Sequence, residues 1–228
     1  MVLSEKPRIE LLNMDCMTLM AKTPDKFYDL CICDPPYGIN IGKVKFYNNT
    51  TKNKLTLYKS SKWDNAIPSK EYFKELFRIS QKQIIWGGNF FTEFLKPSKD
   101  WIIWDKCQSP EMHFSMAELA WCSFGKGIRI FKRSWAKDAN RVSSNPSKAK
   151  KYLRIHPCQK SISLYEWLLM NYAKPGDKIF DSHAGSFSSG IAAYKLGFDI
   201  TATELDKDYY EASITRFRQF SSQQTLTF

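Results

Sequence analysis

The chain has 228 residues, enough to bury one full core with or without a modest insertion. Hydrophobic residues make up 43% and aromatics 15%, which excludes a disordered chain, and no apolar run approaches the roughly 18 residues of a membrane span. The first ten residues, MVLSEKPRIE, lack an apolar signal core, so the expectation is a soluble cytoplasmic protein with no membrane partner.

In chain order, Arg8–Asn13 alternates as a strand, and a short helix follows near Cys16–Ala21. Tyr28–Cys33 is apolar enough for a strand buried on both faces. Residues 38–66 are polar and long, of the kind that is functional or disordered. Apolar residues at 72, 73, 76 and 77 predict a helix over Ser69–Ser80. Gln83–Trp86, Trp101–Trp104 and Ala117–Phe124 read as strands, while residues 125–155 show no clear periodicity. Ser163 and Glu166 form a capping-box pattern that opens a helix running to about Tyr172. Lys178–Asp181 is a strand, Ser188–Leu196 a helix, Phe198–Thr203 a strand and Lys207–Phe220 a helix. Strands alternating with helices imply an α/β fold with a mostly parallel sheet covered on both faces.

The net charge of +11 is unevenly placed. Residues 38–62 hold six lysines and no acid, and residues 125–154 hold ten Lys or Arg against Asp138 alone. Together they exceed the whole-chain total, so the rest of the molecule is mildly acidic. Both segments also carry aromatics (Phe46, Tyr47, Tyr58; Phe131, Trp135, Tyr152), a combination that suits a polyanion with stackable bases. Lys43, Lys45, Lys132, Arg133, Arg141, Lys150 and Lys151 are the candidate nucleic-acid contacts. The six cysteines show no C-x-x-C pair and none stands near a His at metal-ligand spacing, so they read as buried reduced thiols, with no metal site and no disulfide.

Two short motifs carry the chemistry. Asp34-Pro35-Pro36-Tyr37 ends the strand Tyr28–Cys33 in a stiff corner. Asp34 and the Pro35 carbonyl can accept the hydrogens of a flat amine, and Tyr37 can stack on its face. The bland alternative for this tetrapeptide is an ordinary strand-ending turn. Residues 179–190, IFDSHAGSFSSG, read as a strand, a small-residue loop and a helix start. Gly185 permits close backbone approach, Gly190 lets the helix pack on its strand, and Glu204 at the next strand's end is placed for two ribose hydroxyls. No Walker-type lysine accompanies the loop, which suits an adenosine ligand lacking phosphates and points to S-adenosyl-L-methionine.

With both motifs in place, the chain resembles the DNA amino-methyltransferases of the beta group, in which the catalytic motif precedes the cofactor motif. The matching segments are Asp15-Cys16, DPPYG (34–38), IIWGGNFF (84–91), WIIWDK (101–106), AELAWCSF (117–124), HPCQKS (156–161), FDSHAG (180–185) and ELDKDYY (204–210). The chain departs from the family pattern at HPCQKS, where HPTQKP is usual, and at Ser182-His183, where Pro-Phe is common. The resemblance implies one doubly wound, Rossmann-like methyltransferase domain over residues 1–228, mostly parallel with an antiparallel edge strand. It implies that 38–66 is an active-site and DNA-contacting loop and 125–155 a small basic target-recognition segment.

By the same resemblance, Asp34, Pro35, Pro36 and Tyr37 hold the target base. Asp15, Lys160, Ser161, Asp181, His183, Ala184, Gly185, Ser186 and Glu204 serve the cofactor S-adenosyl-L-methionine, with Lys160 and Ser161 meeting its carboxylate. The strands ending in Asp34 and Asp181 become neighbours at the sheet's switch point. The implied reaction is methylation of N6 of a flipped-out adenine in DNA. Cytosine N4 and RNA adenine N6 are the near alternatives, and a catalytically silent nucleic-acid-binding module is the distant one. A cognate restriction nuclease, a homodimer that shares target recognition, and a bacterial or phage-infected host cell complete what the resemblance implies.

Overall fold

The computed structural model describes residues 6–40, 64–111, 115–134, 155–156 and 158–224. Eight strands form one sheet: β1 (Ile9–Leu12), β2 (Tyr28–Cys33), β3 (Ser80–Trp86), β4 (Trp101–Asp105), β5 (Ala117–Cys122), β6 (Arg129–Lys132), β7 (Lys178–Asp181) and β8 (Asp199–Thr203). Their order is β1-β8-β7-β2-β3-β5-β4-β6. The pairings β1·β8, β8·β7, β7·β2, β2·β3 and β4·β6 are parallel, whereas β5 is antiparallel to both β3 and β4. The fold is therefore α/β with a mostly parallel sheet, as expected. The antiparallel strand, however, stands inside the sheet and not at an edge.

Among the described residues five helices flank the sheet: α1 (Cys16–Met20), α2 (Lys70–Ile79), α3 (Ile162–Tyr172), α4 (Ser188–Leu196) and α5 (Lys207–Gln224). Successive residues of β2 face opposite ways, so Leu30 and Ile32 join one core and Cys31 and Cys33 the other. The first core packs under α3 and α4 through Leu164, Leu168, Ala192 and Ala193. The second packs under α1 and α2 through Met20, Tyr72, Phe73, Leu76 and Ile79. A stretch buried on both faces needs apolar residues at successive positions, which explains the run Leu30–Cys33; Asp29, near the start of the strand, is only half-buried.

Three local expectations change. Strand β3 begins at Ser80 rather than Gln83, because α2 passes straight into it: Ser80 turns extended and its Oγ donates to the Leu76 carbonyl. Helix α3 starts at Ile162, with Ser161 and not Ser163 as the N-cap, its Oγ accepting from the Leu164 N–H at 3.0 Å. Glu166 pairs instead with Lys195 of α4. Within the segment expected to lack regular structure, Arg129–Lys132 forms β6, paired on one side to β4. It escapes a periodicity reading because both its faces are largely exposed.

Candidate functional site

Parallel strands bring their carboxyl ends to one rim, and β2 and β7 are neighbours whose chains lead away in opposite directions. Open α/β sheets form their cleft at such a point. Here a cavity of about 900 Å³ opens there, lined by Asp34 and Tyr37 from the end of β2 and by Gly185 and Glu204 from the ends of β7 and β8. Because β5 runs backwards, its first residues, Ala117 and Glu118, reach the same rim.

The Asp34–Tyr37 corner is held from three sides. The Tyr37 hydroxyl donates to Asp34 Oδ1 at 2.6 Å. Asp64, 1% exposed, accepts the Tyr37 and Gly38 N–H groups on Oδ1 at 2.8 and 2.9 Å. The Tyr37 ring stacks on Phe90, with centroids 5.0 Å apart and planes 15° from parallel. Gly87, at φ 72°, leaves room for that ring. No sequence motif singles out Asp64 or Phe90 individually, although Asp64 is the first acid after a long lysine-rich run.

Beside the corner stands an unanticipated chain of alternating charges. Lys160 Nζ lies 2.6 Å from Asp34 Oδ2 and 2.9 Å from Glu118 Oε2, and Lys106 Nζ lies 2.6 Å from Glu118 Oε1. Lys160 also reaches the Tyr37 hydroxyl at 3.3 Å. Lys160 lines the cavity, as the resemblance implies for a residue meeting the cofactor carboxylate, and among protein groups its ammonium lies between two carboxylates, because an unpaired cation in an apolar setting is costly. Burial pushes the Asp34 carboxyl up, with Lys160 opposing and Glu118 reinforcing the rise. Burial also acts to raise Glu118, but Lys160 and Lys106 outweigh it and bring that carboxyl down to about 2. Burial would lower Lys160, yet the two acids hold it above its ordinary value.

The loop after β7 forms the second half of the cavity. Ala184 N–H donates to the Thr203 carbonyl at 2.9 Å, and Gly185, at φ 52°, donates its N–H to Glu204 Oε2 at 2.9 Å. Glu204 Oε1 accepts from Asp206 N–H at 2.9 Å. Each Glu204 oxygen thus keeps a free acceptor site, two in all, which fits a ribose diol. Burial pushes Glu204 up to about 7, with its two backbone donors opposing. Asp15 borders the cavity and caps α1, its Oδ1 accepting from Met17 N–H at 2.8 Å. His183 lines the cavity, bonded through Nδ1 to Ser182 Oγ at 2.8 Å, and burial pushes it down to about 4, leaving it neutral. Ser186 also borders it, its hydroxyl 3.2 Å from that of Ser188.

Three sequence expectations are redirected here. Asp181 does not line the cavity: it lies beneath the loop, 0% exposed, accepting from His183 N–H at 3.1 Å and Ser189 Oγ at 2.7 Å. Burial pushes it up to about 6. Ser161 does not line the cavity either: it is buried, and its Oγ accepts from the Leu164 N–H as the α3 cap. Gly190 makes room for a side chain rather than for the strand, since a Cβ there would fall 2.1 Å from Cζ of Phe187. Phe187 itself adopts φ 55°, which folds its ring back under the helix start.

Of the candidate nucleic-acid contacts, Lys132 ends β6 and Arg133 follows it, both exposed, with Lys132 Nζ 3.7 Å from Asp105 Oδ2. Lys43, Lys45, Arg141, Lys150 and Lys151 lie outside the described residues, as do most of the 38–66 loop and of the 125–155 segment. Cys107 is exposed and Cys158 half-buried, so the expectation of uniformly buried thiols fails for these two. Among the described residues no cluster of His, Cys, Asp and Glu could hold a metal ion, and no helix is long and apolar enough to cross a membrane.

Comparison with known proteins decides the family. The DNA methylase family N6_N4_Mtase matches residues 28–215, most of the chain and both halves of the cavity. The chain belongs to that family. It is similar to the type II methyltransferases M2.MboI of Moraxella bovis and M2.LlaDCHI of Lactococcus lactis subsp. cremoris. Each is 22% identical, over 96% and 94% of this chain and 90% and 91% of those proteins. Among solved structures, an M1.HpyAVI-SAM complex shares the fold with a TM-score of 0.55 at 17% identity, covering 91% of this chain and 98% of that one. The PvuII DNA methyltransferase (cytosine-N4-specific) does so with a TM-score of 0.57 at 13% identity, covering 93% and 89%.

Proposed function

We propose that this DNA methylase family member transfers a methyl group from S-adenosyl-L-methionine to N6 of an adenine flipped out of DNA. The observation that carries the reading is a single cavity bordered both by the Asp34 corner and by the Gly185–Glu204 cradle. One half can grip an amine and the other a ribose, and the cavity is of the size of small-molecule sites. Asp15, His183, Ala184 and Ser186 complete the cradle. S-adenosyl-L-methionine, when bound, supplies a methyl group on a positive sulfur, and the electron pair of the broken C–S bond leaves with that sulfur as nitrogen bonds the carbon.

The protein's part is to make a poor nucleophile attack. The N6 lone pair is delocalised into the ring. Asp34 accepts from Tyr37 on one oxygen and faces Lys160 on the other, and each oxygen retains a site for an amine hydrogen. With the Pro35 carbonyl taking the second hydrogen, the nitrogen is drawn toward a tetrahedral shape and its lone pair is freed. Once methylated, the nitrogen carries a positive charge and gives one proton to Asp34. Such fixed positioning and charge stabilisation is worth up to ~7–11 kcal/mol. Tyr37 and Phe90 offer the stacking surface that offsets part of the cost of flipping, a few kcal/mol.

The choice of adenine follows the aspartate that opens the corner, which in the family resemblance accompanies N6 transfer. The likeness to a cytosine-N4-specific enzyme supports N4 of cytosine as the second reading. Sequencing that detects modified bases, run on DNA from cells expressing the protein, reports the base and its context together. N6-methyladenine at a fixed motif is the expected result; N4-methylcytosine would replace the first reading by the second. Asp34→Ala is expected to abolish transfer while cofactor affinity by calorimetry stays near wild type.

A further inference from the structure

Glu118 is a lone acid in an otherwise apolar strand, and nothing in the amine-gripping corner requires it. Its two oxygens nevertheless hold two lysines, Lys106 at 2.6 Å and Lys160 at 2.9 Å, and Lys160 in turn holds Asp34 at 2.6 Å. The Lys160 side chain is 4% exposed, so its charge is divided between two carboxylates rather than spread into water. A buried lysine bound to Asp34 alone would stabilise the carboxylate strongly and make it a poor proton acceptor. Glu118 takes part of that stabilisation for itself. Lys106, on the far side of Glu118, limits how much.

We propose that Glu118 and Lys106 are positioning residues that set the basicity of Asp34 through Lys160, so that this carboxylate can take the proton the target amine sheds on methylation. The inference rests on the reading of Asp34 as the amine's acceptor. In the step concerned, the methylated nitrogen carries one proton in excess; its N–H bond breaks, the electron pair stays on nitrogen, and the proton binds a carboxylate oxygen of Asp34. The groups facing Asp34 come from four elements. Tyr37 lies in its own turn, Lys160 before α3 with Tyr165 within it, Glu118 on β5, and Asp181 at the end of β7. Lys106 at the end of β4 acts one step removed, through Glu118.

The chain of alternating signs makes opposite predictions for its two outer members, which a general loss of structure would not. Glu118→Gln leaves Lys160 wholly to Asp34, so the acid limb of the kcat–pH profile moves to lower pH by roughly one unit and the plateau falls roughly tenfold. Lys106→Met lets Glu118 lean harder on Lys160, so the acid limb moves to higher pH. The double variant follows Glu118→Gln alone, because the effect of Lys106 passes through Glu118.

The experiment measures kcat against pH at saturating DNA and cofactor, with cofactor affinity by calorimetry and folding by thermal melting. An unmoved limb in Glu118→Gln, single variants that shift the same way, an additive double variant, or a tenfold loss of cofactor affinity in either single variant would each overturn the proposal. If Glu118→Gln does not fold, Lys106→Met decides alone: a raised limb supports the proposal and an unmoved one ends it. Asp34→Ala separates the two levels. Retained transfer in that variant removes the corner reading itself, whereas lost transfer with unmoved limbs in the others removes only the tuning.

Discussion

The ring of Tyr37 lies against the α-carbon of Gly87, so close that a Cβ at Gly87 would fall 2.2 Å from its Cε1. Phe90, one turn further along the same 3₁₀ segment, stacks on that ring. The Gly87-Gly88 turn at the end of β3 is thus one wall of the Asp34 corner, and glycine is required there both by space and by φ 72°. Gly87→Ala should push Tyr37 out of place and carry Asp34 with it through their 2.6 Å bond. Methyl transfer is expected to fall by about 10²-fold, the cost of a misplacement near 1 Å, with a stability loss of about 1–3 kcal/mol. Single-turnover rates and a denaturant midpoint check the two numbers.

Asp64 holds the same corner from below by accepting two N–H groups, those of Tyr37 and Gly38. Asp64→Ala leaves both without that acceptor, and a lost partner for buried groups costs about 1–3 kcal/mol. Asp64→Asn retains one acceptor oxygen and should lie between. A lowered melting temperature in the order Ala below Asn below wild type is the expected outcome, and equal melting of all three would show that water replaces the carboxylate.

Glu204 gives a pH dependence with a definite sign. Burial holds it at about 7, so its carboxyl is protonated below that pH and, in the proposed cradle, would offer a ribose diol one acceptor fewer. Cofactor affinity should rise as pH rises through about 7 and level off above, with proton release on binding near neutrality. Calorimetric titration at several pH values in buffers of different ionisation enthalpy measures both. Glu204→Gln should bind weakly at every pH and flatten the curve; a wild-type slope in that variant would assign the titration elsewhere.

Lys132 and Arg133 lie exposed at the outer edge strand. If both contact phosphates, Lys132→Glu with Arg133→Glu lowers the slope of log affinity for DNA against log salt by about two. Cofactor affinity should stay unchanged, because neither residue lines the cavity. An unaltered salt slope would confine the DNA contacts to other residues.

How much was legible follows from how local each feature is. The Asp34 corner and the Gly185 loop are written in consecutive residues whose own φ limits, hydrogen-bonding groups and flanking apolar runs announce a strand end, and both were found. Strand β6 was not, because an edge strand with both faces exposed carries no alternation. The resemblance puts Asp181 in the cavity and the structure puts it beneath the loop, since a strand's last residue can turn either way. Only the bonds to His183 and Ser189 decide. The Phe187–Gly190 contact was hidden by a left-handed φ at a non-glycine residue, which no propensity predicts.

The sequence by itself determined the α/β alternation, the two motifs and their order, because periodicity and turn chemistry act within a few residues of one another. The tertiary structure alone decided that Lys106, Glu118, Lys160 and Asp34 form one chain of charges. Those residues come from segments far apart in sequence, and they meet because β5 enters the sheet backwards between β3 and β4, bringing its first residues to the rim where parallel strands bring their last. Burial then does the rest: charges enclosed at one rim must pair, and which pairs form depends on strand order, which no local pattern encodes.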